Sequence, residues 1–191
     1  YDWTRNNLKK NGYIPLGSIP RRHRKTVEAY KNHRAPFLKA NKQLFDKYRA
    51  KLLALANGRP IIGVSWKGGY WQIQRKTKEL ELQNWEPIFK RSALYVNLQY
   101  GEVSKEIINL RSEHGIEVLE IPGLDLFNDI DGLAALISAC DCVISIDNLT
   151  PHFAGALGVS TMLLLPKVAD ERWGLEPSKS YLYDNMNLYR Q

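Results

Sequence analysis

The segment Asp147-Asn148-Leu149-Thr150-Pro151-His152 brings a carboxylate, a carboxamide, a hydroxyl and an imidazole together directly after an apolar run at 142–146. A strand ending there would deliver these groups to the carboxyl end of a sheet, where open α/β folds bind ligands. Thr150-Pro151 has the form of a helix start, with Thr as N-cap and Pro at the first helical position. On that reading the backbone N–H groups of His152 and Phe153 face the crevice. Together with the helix dipole they make an anion site suited to phosphate. Asn148 and Thr150 would add neutral hydrogen-bond partners, and His152 could donate without a fixed charge. The small residues Ala154, Gly155 and Ala156 would let the helix approach the sheet closely. An ordinary capped helix with a satisfied histidine uses the same residues, and spacing alone leaves the two readings even.

A second loop, Trp66-Lys67-Gly68-Gly69-Tyr70, offers glycines where backbone can approach a ligand. Arg75, Lys76 and Lys78 follow as a basic cluster able to neutralise a diphosphate. A solvated loop has the same composition. The sequence has no GxGxxG or Walker pattern, which speaks against dinucleotide and NTPase chemistry, and no GxSxG nucleophile turn. Asp129-Ile130-Asp131 is formally a DxD metal signature, but it precedes a helical stretch, where acidic residues favour the dipole. Cys140 and Cys142 have no Cys or His pair at ligand spacing and read as small buried residues in a reducing, cytoplasmic setting. No metal or other cofactor is expected. Trp85, Trp173 and the tail tyrosines read as core and lid packing.

These residues need a frame, and the chain supplies an alternating one. Residues 61–66 form a continuous apolar run, as in a strand covered on both faces. A helix is expected over 85–91, a strand over 93–98, a helix over 102–114 and a strand over 116–121. Asp131 can cap a helix whose Leu133, Leu136, Ile137 and Cys140 share one face. The strand at 142–146, a helix over 151–157 and a strand over 161–165 complete the pattern. Alternation of this kind predicts an α/β, Rossmann-like parallel sheet with helices on both faces. The tail, 167–191, is expected to fold back over the sheet. Before the sheet, Phe37, Leu44, Phe45, Tyr48, Leu52 and Leu55 mark a helix within 37–57 that docks by one face. Residues 1–36 read as a basic linker with a short helix near 26–33, a possible remnant of an N-terminal lobe, and 37–191 as the binding domain.

The chain has 191 residues, enough for one full domain and an appendage. No apolar run reaches the roughly 20 residues of a membrane span, and no signal peptide opens the sequence. Tyr1 in place of Met suggests a piece of something longer. The net charge of +7 gathers before residue 60, around Arg21-Arg22-His23-Arg24-Lys25. Such a segment fits nucleic acid, anionic lipid or the acidic face of a partner domain. The enzyme-like core behind it favours the partner domain and disfavours nucleic acid.

The stretch from Asp131 to Gly158, with its Asp147-Asn-Leu-Thr-Pro-His152-Phe-Ala-Gly-Ala-Leu-Gly run, resembles the C-terminal domain of bacterial glycosyltransferase family 9-like proteins. These are the heptosyltransferases and their relatives fused to tetratricopeptide repeats. Ile62-Gly-Val-Ser-Trp-Lys-Gly-Gly69, Arg172-Trp173 and Asn187-Leu-Tyr-Arg190-Gln191 look like the repeat-linked group. The resemblance implies one lobe of a GT-B, metal-independent glycosyltransferase. It puts Asp147, Asn148, Thr150 and His152 around the diphosphate of a nucleotide-diphospho-sugar donor, with Gly68 and Gly69 nearby. Lys78 and His152 would stabilise the leaving diphosphate, and the loop near 122–126 would meet the base. The acceptor and the catalytic base would come from a missing N-terminal lobe or repeat region, so this chain is expected to be incomplete for catalysis alone. The competing expectation is a non-catalytic interaction module that recruits a protein or anionic partner through the basic segment.

Overall fold

A computed structural model describes residues 23–26, 28–31, 35–68 and 81–191. The chain forms two compact units, Tyr1–His33 and Arg34–Gln191. In the first, the short helix expected near 26–33 is one turn, α1 (Glu28–Lys31). Arg21, Arg22 and most of the basic segment lie outside the described residues.

The second unit opens with α2 (Lys42–Ala56), whose start is set by Asn41. The Asn41 side chain accepts from the Gln43 and Leu44 N–H groups, at 3.0 and 3.2 Å. That satisfies two of the donors a helix start leaves open. Asn57, in the left-handed conformation at φ 49°, ends it. Tyr48, Leu52 and Ala56 are buried at helical spacing, while Leu53 and Leu55 face outward. Phe37 precedes the helix and is exposed, so the apolar stripe is shorter than the sequence pattern suggests. Arg49 fastens the helix to the sheet domain: it donates to the Ala139 carbonyl and pairs with Asp141, both at 2.8 Å.

Six strands form one wholly parallel sheet: β1 (Ile61–Ser65), β2 (Leu94–Asn97), β3 (Val118–Leu119), β4 (Cys142–Ile146), β5 (Ser160–Leu165) and β6 (Met186–Arg190). Their order is β3-β2-β1-β4-β5-β6. The chain winds outward from β1 to β3, then returns to place β4 on the other side of β1. The order therefore reverses between β1 and β4, and the carboxyl ends of those strands flank the crevice such sheets use. This is the expected α/β, Rossmann-like architecture.

A short 3-10 turn (Leu82–Trp85) and α3 (Glu86–Phe89) link β1 to β2, and α4 (Ser104–His114) links β2 to β3. On that face Trp66, Trp85, Phe89, Ile107, Leu110 and Ile144 make one core. α5 (Ile130–Ser138) and α6 (Leu149–Leu157) join α2 over the opposite face, where Leu52, Ile61, Val96, Leu133, Leu136 and Val143 make another. Burying each of these side chains contributes roughly 1.5–3 kcal/mol. Gly63 is required there, since a Cβ would come within 2.3 Å of the Leu98 side chain.

Three expectations are corrected. Asp129, not Asp131, caps α5, accepting from the Gly132 N–H at 2.8 Å, and Asp131 lies in the first turn. The helix expected over 85–91 begins three residues earlier as a 3-10 turn, with Pro87 inside the first turn of α3. The tail does more than fold back. Its last residues pair with β5, Leu163 opposite Leu188, and enclose Trp173 and Met186 in a third small core. Among the described residues, no helix is long and apolar enough to cross a membrane.

Candidate functional site

At the strand-order reversal, polar side chains knit the ends of β1, β2 and β4 together. Gln99, just past β2 and 2% exposed, directs its carboxamide oxygen at the end of β1. It accepts from Ser65 Oγ at 3.0 Å and from the Trp66 and Lys67 backbone N–H groups at 3.0 and 2.7 Å. Asn148, just past β4, donates from Nδ2 to Ser65 Oγ at 2.7 Å and to the Lys67 carbonyl at 2.9 Å. Its Oδ1 accepts from the Thr150 N–H at 2.9 Å and from Ser145 Oγ at 3.3 Å. Thr150 Oγ1 lies 3.3 Å from Ser65 Oγ. Ser65, Ser145, Thr150 and Asp147 are all buried, so each of these bonds offsets a desolvation cost.

This lattice relocates the helix start. Asn148 caps α6, and Thr150 and Pro151 are its second and third residues. Asn caps better than Thr, and here its other amide edge is anchored on β1. Pro is tolerated because first-turn N–H groups have no helical acceptor. The N–H groups of His152 and Phe153 consequently lie within the i→i−4 ladder and do not face the crevice. Of the first three helical residues, Leu149 retains an N–H that neither the cap nor the helix uses.

His152 points away from the lattice. Its ring stacks on Trp173, with centroids 4.9 Å apart and planes 21° off parallel. Nδ1 lies 3.1 Å from the Tyr183 hydroxyl. Nε2 is buried and has no partner among the described residues. Burial, and then the Arg172 charge, push the imidazole below its ordinary pKa, with Asp147 and Asp170 opposing. At neutral pH the ring is uncharged and acts through hydrogen bonds alone. Tyr183 packs over Gly155, where a Cβ would meet its ring at 2.4 Å.

Beside the lattice, a cavity of about 310 Å³ opens between the loops that follow β2 and β3. Tyr100, Glu102, Glu120, Leu124 and Phe127 are among its lining residues. Tyr100 and Phe127 approach to 5.8 Å as a tilted pair. Asp125 fixes the far loop. It accepts from the Asn128 side chain at 2.7 Å and from the Phe127 and Asn128 N–H groups at 2.9 and 3.1 Å. These bonds, the Asn128 side chain foremost, hold its carboxyl below the usual carboxylate range. The volume suits a small organic ligand (roughly 300–1,000 Å³).

Two solved structures superpose on 81% of the chain. One is a glycosyl transferase family 9 protein from Veillonella parvula, with a TM-score of 0.55 and 11% identity. The other is the ADP-heptose LPS heptosyltransferase II of E. coli, with a TM-score of 0.56 and 14% identity. The chain shares its fold with one lobe of glycosyltransferase family 9 enzymes. It spans 42% and 45% of those two chains. In sequence it is 34% identical over 154 residues to Protein FlbA of Caulobacter vibrioides, covering 80% of this chain and 26% of that protein. No family model matches the sequence.

Within this family 9 fold, Gly68, Asp147, Asn148 and Thr150 converge on the strand-order reversal, and His152 sits one helical turn further along α6. Asn148 and Thr150 spend their polar atoms on protein partners. Gly69, Arg75, Lys76 and Lys78 lie outside the described residues. Lys67 is paired with Glu106, whose other carboxylate oxygen accepts from Trp66 Nε1 at 2.9 Å. Sequence reasoning assigned no bonds to Ser65, to the Gln99 side chain, to the Tyr183 hydroxyl or to the Asp170–Arg172 fork. The available signal was the polar pair Asn97 and Gln99 closing an otherwise apolar strand.

Proposed function

We propose that the chain is the donor-binding lobe of a metal-independent GT-B glycosyltransferase that holds a nucleotide-diphospho-sugar. The observation that carries this reading is the lattice of Ser65, Gln99, Asn148 and Thr150. It fixes the ends of β1, β2 and β4 where a parallel sheet of this order binds nucleotides, with the start of α6 beside it. The diphosphate would lie over Gly68 and Gly69, toward the Leu149 N–H and the helix dipole. Asn148 and Thr150 position that backbone. Asp147 would border the diphosphate. The nucleoside would occupy the cavity after β2 and β3, beside the Tyr100–Phe127 pair, with the base meeting the loop near 122–126.

In the reaction an acceptor oxygen bonds to the anomeric carbon as the bond to the diphosphate oxygen breaks. Negative charge then grows on the departing diphosphate. Lys78 and neutral His152 would meet that charge, an electrostatic role needing no metal. Asp129 and Asp131, the formal DxD, serve the start of α5 instead. The acceptor site and catalytic base belong to another lobe, as the partial span of the solved enzymes suggests. Inversion at the anomeric carbon and linkage to tetratricopeptide repeats rest on motif resemblance. The free thiols Cys140 and Cys142 fit a cytoplasmic setting.

Calorimetry against UDP-, GDP-, ADP- and CMP-linked compounds tests the proposal. One of them should bind, and the Lys78→Ala/His152→Ala double variant should lose about 10-fold or more of that affinity, the scale of one or two charge-assisted bonds. Absence of binding across the panel, with salt-sensitive capture of an acidic protein instead, would establish the interaction-module reading in its place.

A further inference from the structure

The β5–β6 connection presents a cation that the proposed mechanism does not use. Asp170 starts a short 3-10 turn (Glu171–Trp173), its Oδ1 accepting from the Arg172 N–H at 3.2 Å. The same carboxylate grips one edge of the Arg172 guanidinium, Nε at 2.8 Å and Nη2 at 2.7 Å. Such a fork fixes the direction of the remaining edge. That edge, Nη1, engages none of the described residues, and the side chain is 49% exposed. The turn cannot swing freely. Trp173 is fully buried, and the Trp173 and Gly174 carbonyls accept from Arg190 Nη2 at 3.1 and 2.9 Å. Because Trp173 carries the His152 ring on its face, Arg172 is held beside the first turns of α6. Its charge is felt at His152, and the Asp147 and Asp170 carboxylates act on it in turn.

We infer that Arg172 is a diphosphate-binding residue, offering its free Nη1 edge to the phosphate oxygens of the donor. The inference rests on the donor-lobe reading above and adds a ligand from a segment the strand-order reversal does not include. Charge gives it a definite role. Without Arg172, the neighbouring Asp147, Asp170 and Glu171 would leave an anionic rim that repels a diphosphate.

The test uses the whole chain as wild type, Arg172→Ala and Arg172→Lys, titrated with ADP, UDP and GDP in a calorimeter, with a thermal melt of each variant. The expected result is a 10- to 100-fold loss of diphosphate affinity in Arg172→Ala, the scale of one charge-assisted contact. Arg172→Lys should recover part of it, and the melting temperatures should stay within about 4 °C, under roughly 1 kcal/mol. Unchanged affinity in Arg172→Ala overturns the inference and leaves the donor-lobe reading standing. A loss that tracks a lower melting temperature and is not recovered by Lys also overturns it, because the turn is then only structural. A wild-type chain that binds no nucleoside diphosphate removes the donor-lobe reading and the inference together.

Discussion

The two ends of α6's neighbourhood treat polar atoms in opposite ways. Where β1, β2 and β4 end, Ser65, Gln99, Asn148 and Thr150 are bonded to one another or to backbone, and the bonds that join different strand ends span sequence separations of 32 to 85 residues. Toward β5, His152 Nε2 and Trp173 Nε1 are buried without partners among the described residues. Folding normally satisfies buried polar groups, so the first region reads as scaffold and the second as capacity held in reserve. A binding site needs both. The scaffold fixes the crevice, and in the second region the half-exposed Arg172 edge is what a ligand could engage.

The largest effect should come from breaking the scaffold. Gln99→Leu keeps the bulk but removes the acceptor shared by Ser65 Oγ and two backbone N–H groups. Buried orphaned donors cost about 1–3 kcal/mol each, and partial rescue by water lowers the sum to about 3 kcal/mol. Urea unfolding would measure it. A loss below about 1 kcal/mol would show that the lattice is replaceable and that the two regions differ less in energy than in bonding.

That lattice also explains what the sequence could and could not say. β1 and β4 were legible because strands buried on both faces read as unbroken apolar runs, and the face of α5 because its period is helical. The start of α6 was ambiguous locally, since Asn148 and Thr150-Pro151 both satisfy capping rules. Ser65, 83 residues away from Asn148, decides between them. β6 was missed because its short alternation, Met186 and Leu188 inward and Tyr189 outward, lies in an aromatic tail that carries no helix-to-strand punctuation. Asp170 and Arg172 are two apart, and they meet only because the chain makes a 3-10 turn there. Local pattern thus gave the frame, and long-range bonds placed the chemistry.

A smaller effect should appear in the reserve region as a pH dependence. The folded His152 has a pKa below its unfolded value, through burial first and the Arg172 charge second. The unfolded chain therefore binds the proton at a higher pH than the folded one. This contribution to stability is complete above the unfolded pKa, about 6.5, and is lost as pH falls through the folded value. Denaturant midpoints recorded from pH 7.5 downward should decline for the wild type, and His152→Gln should flatten the part of that decline that begins near 6.5. Identical profiles for the two proteins would mean that the ring is accommodated equally well when charged.

The smallest effect should follow from Tyr183→Phe, which keeps the ring over Gly155 and removes only the hydroxyl beside His152 Nδ1. Loss of one neutral hydrogen bond costs about 0.5–1.5 kcal/mol. Its value lies in what it says about the imidazole. If the Tyr183 hydroxyl donates to Nδ1, the proton of neutral His152 sits on Nε2, the buried atom without a partner, which then is a donor awaiting an acceptor oxygen. Nitrogen NMR of labelled His152 should show the Nε2–H tautomer in the wild type and a mixture in Tyr183→Phe. An Nδ1–H tautomer in the wild type would reverse the reading. Nε2 would then be an acceptor, unsuited to a diphosphate oxygen, and the anion-binding capacity of this region would fall to Arg172 rather than to the histidine.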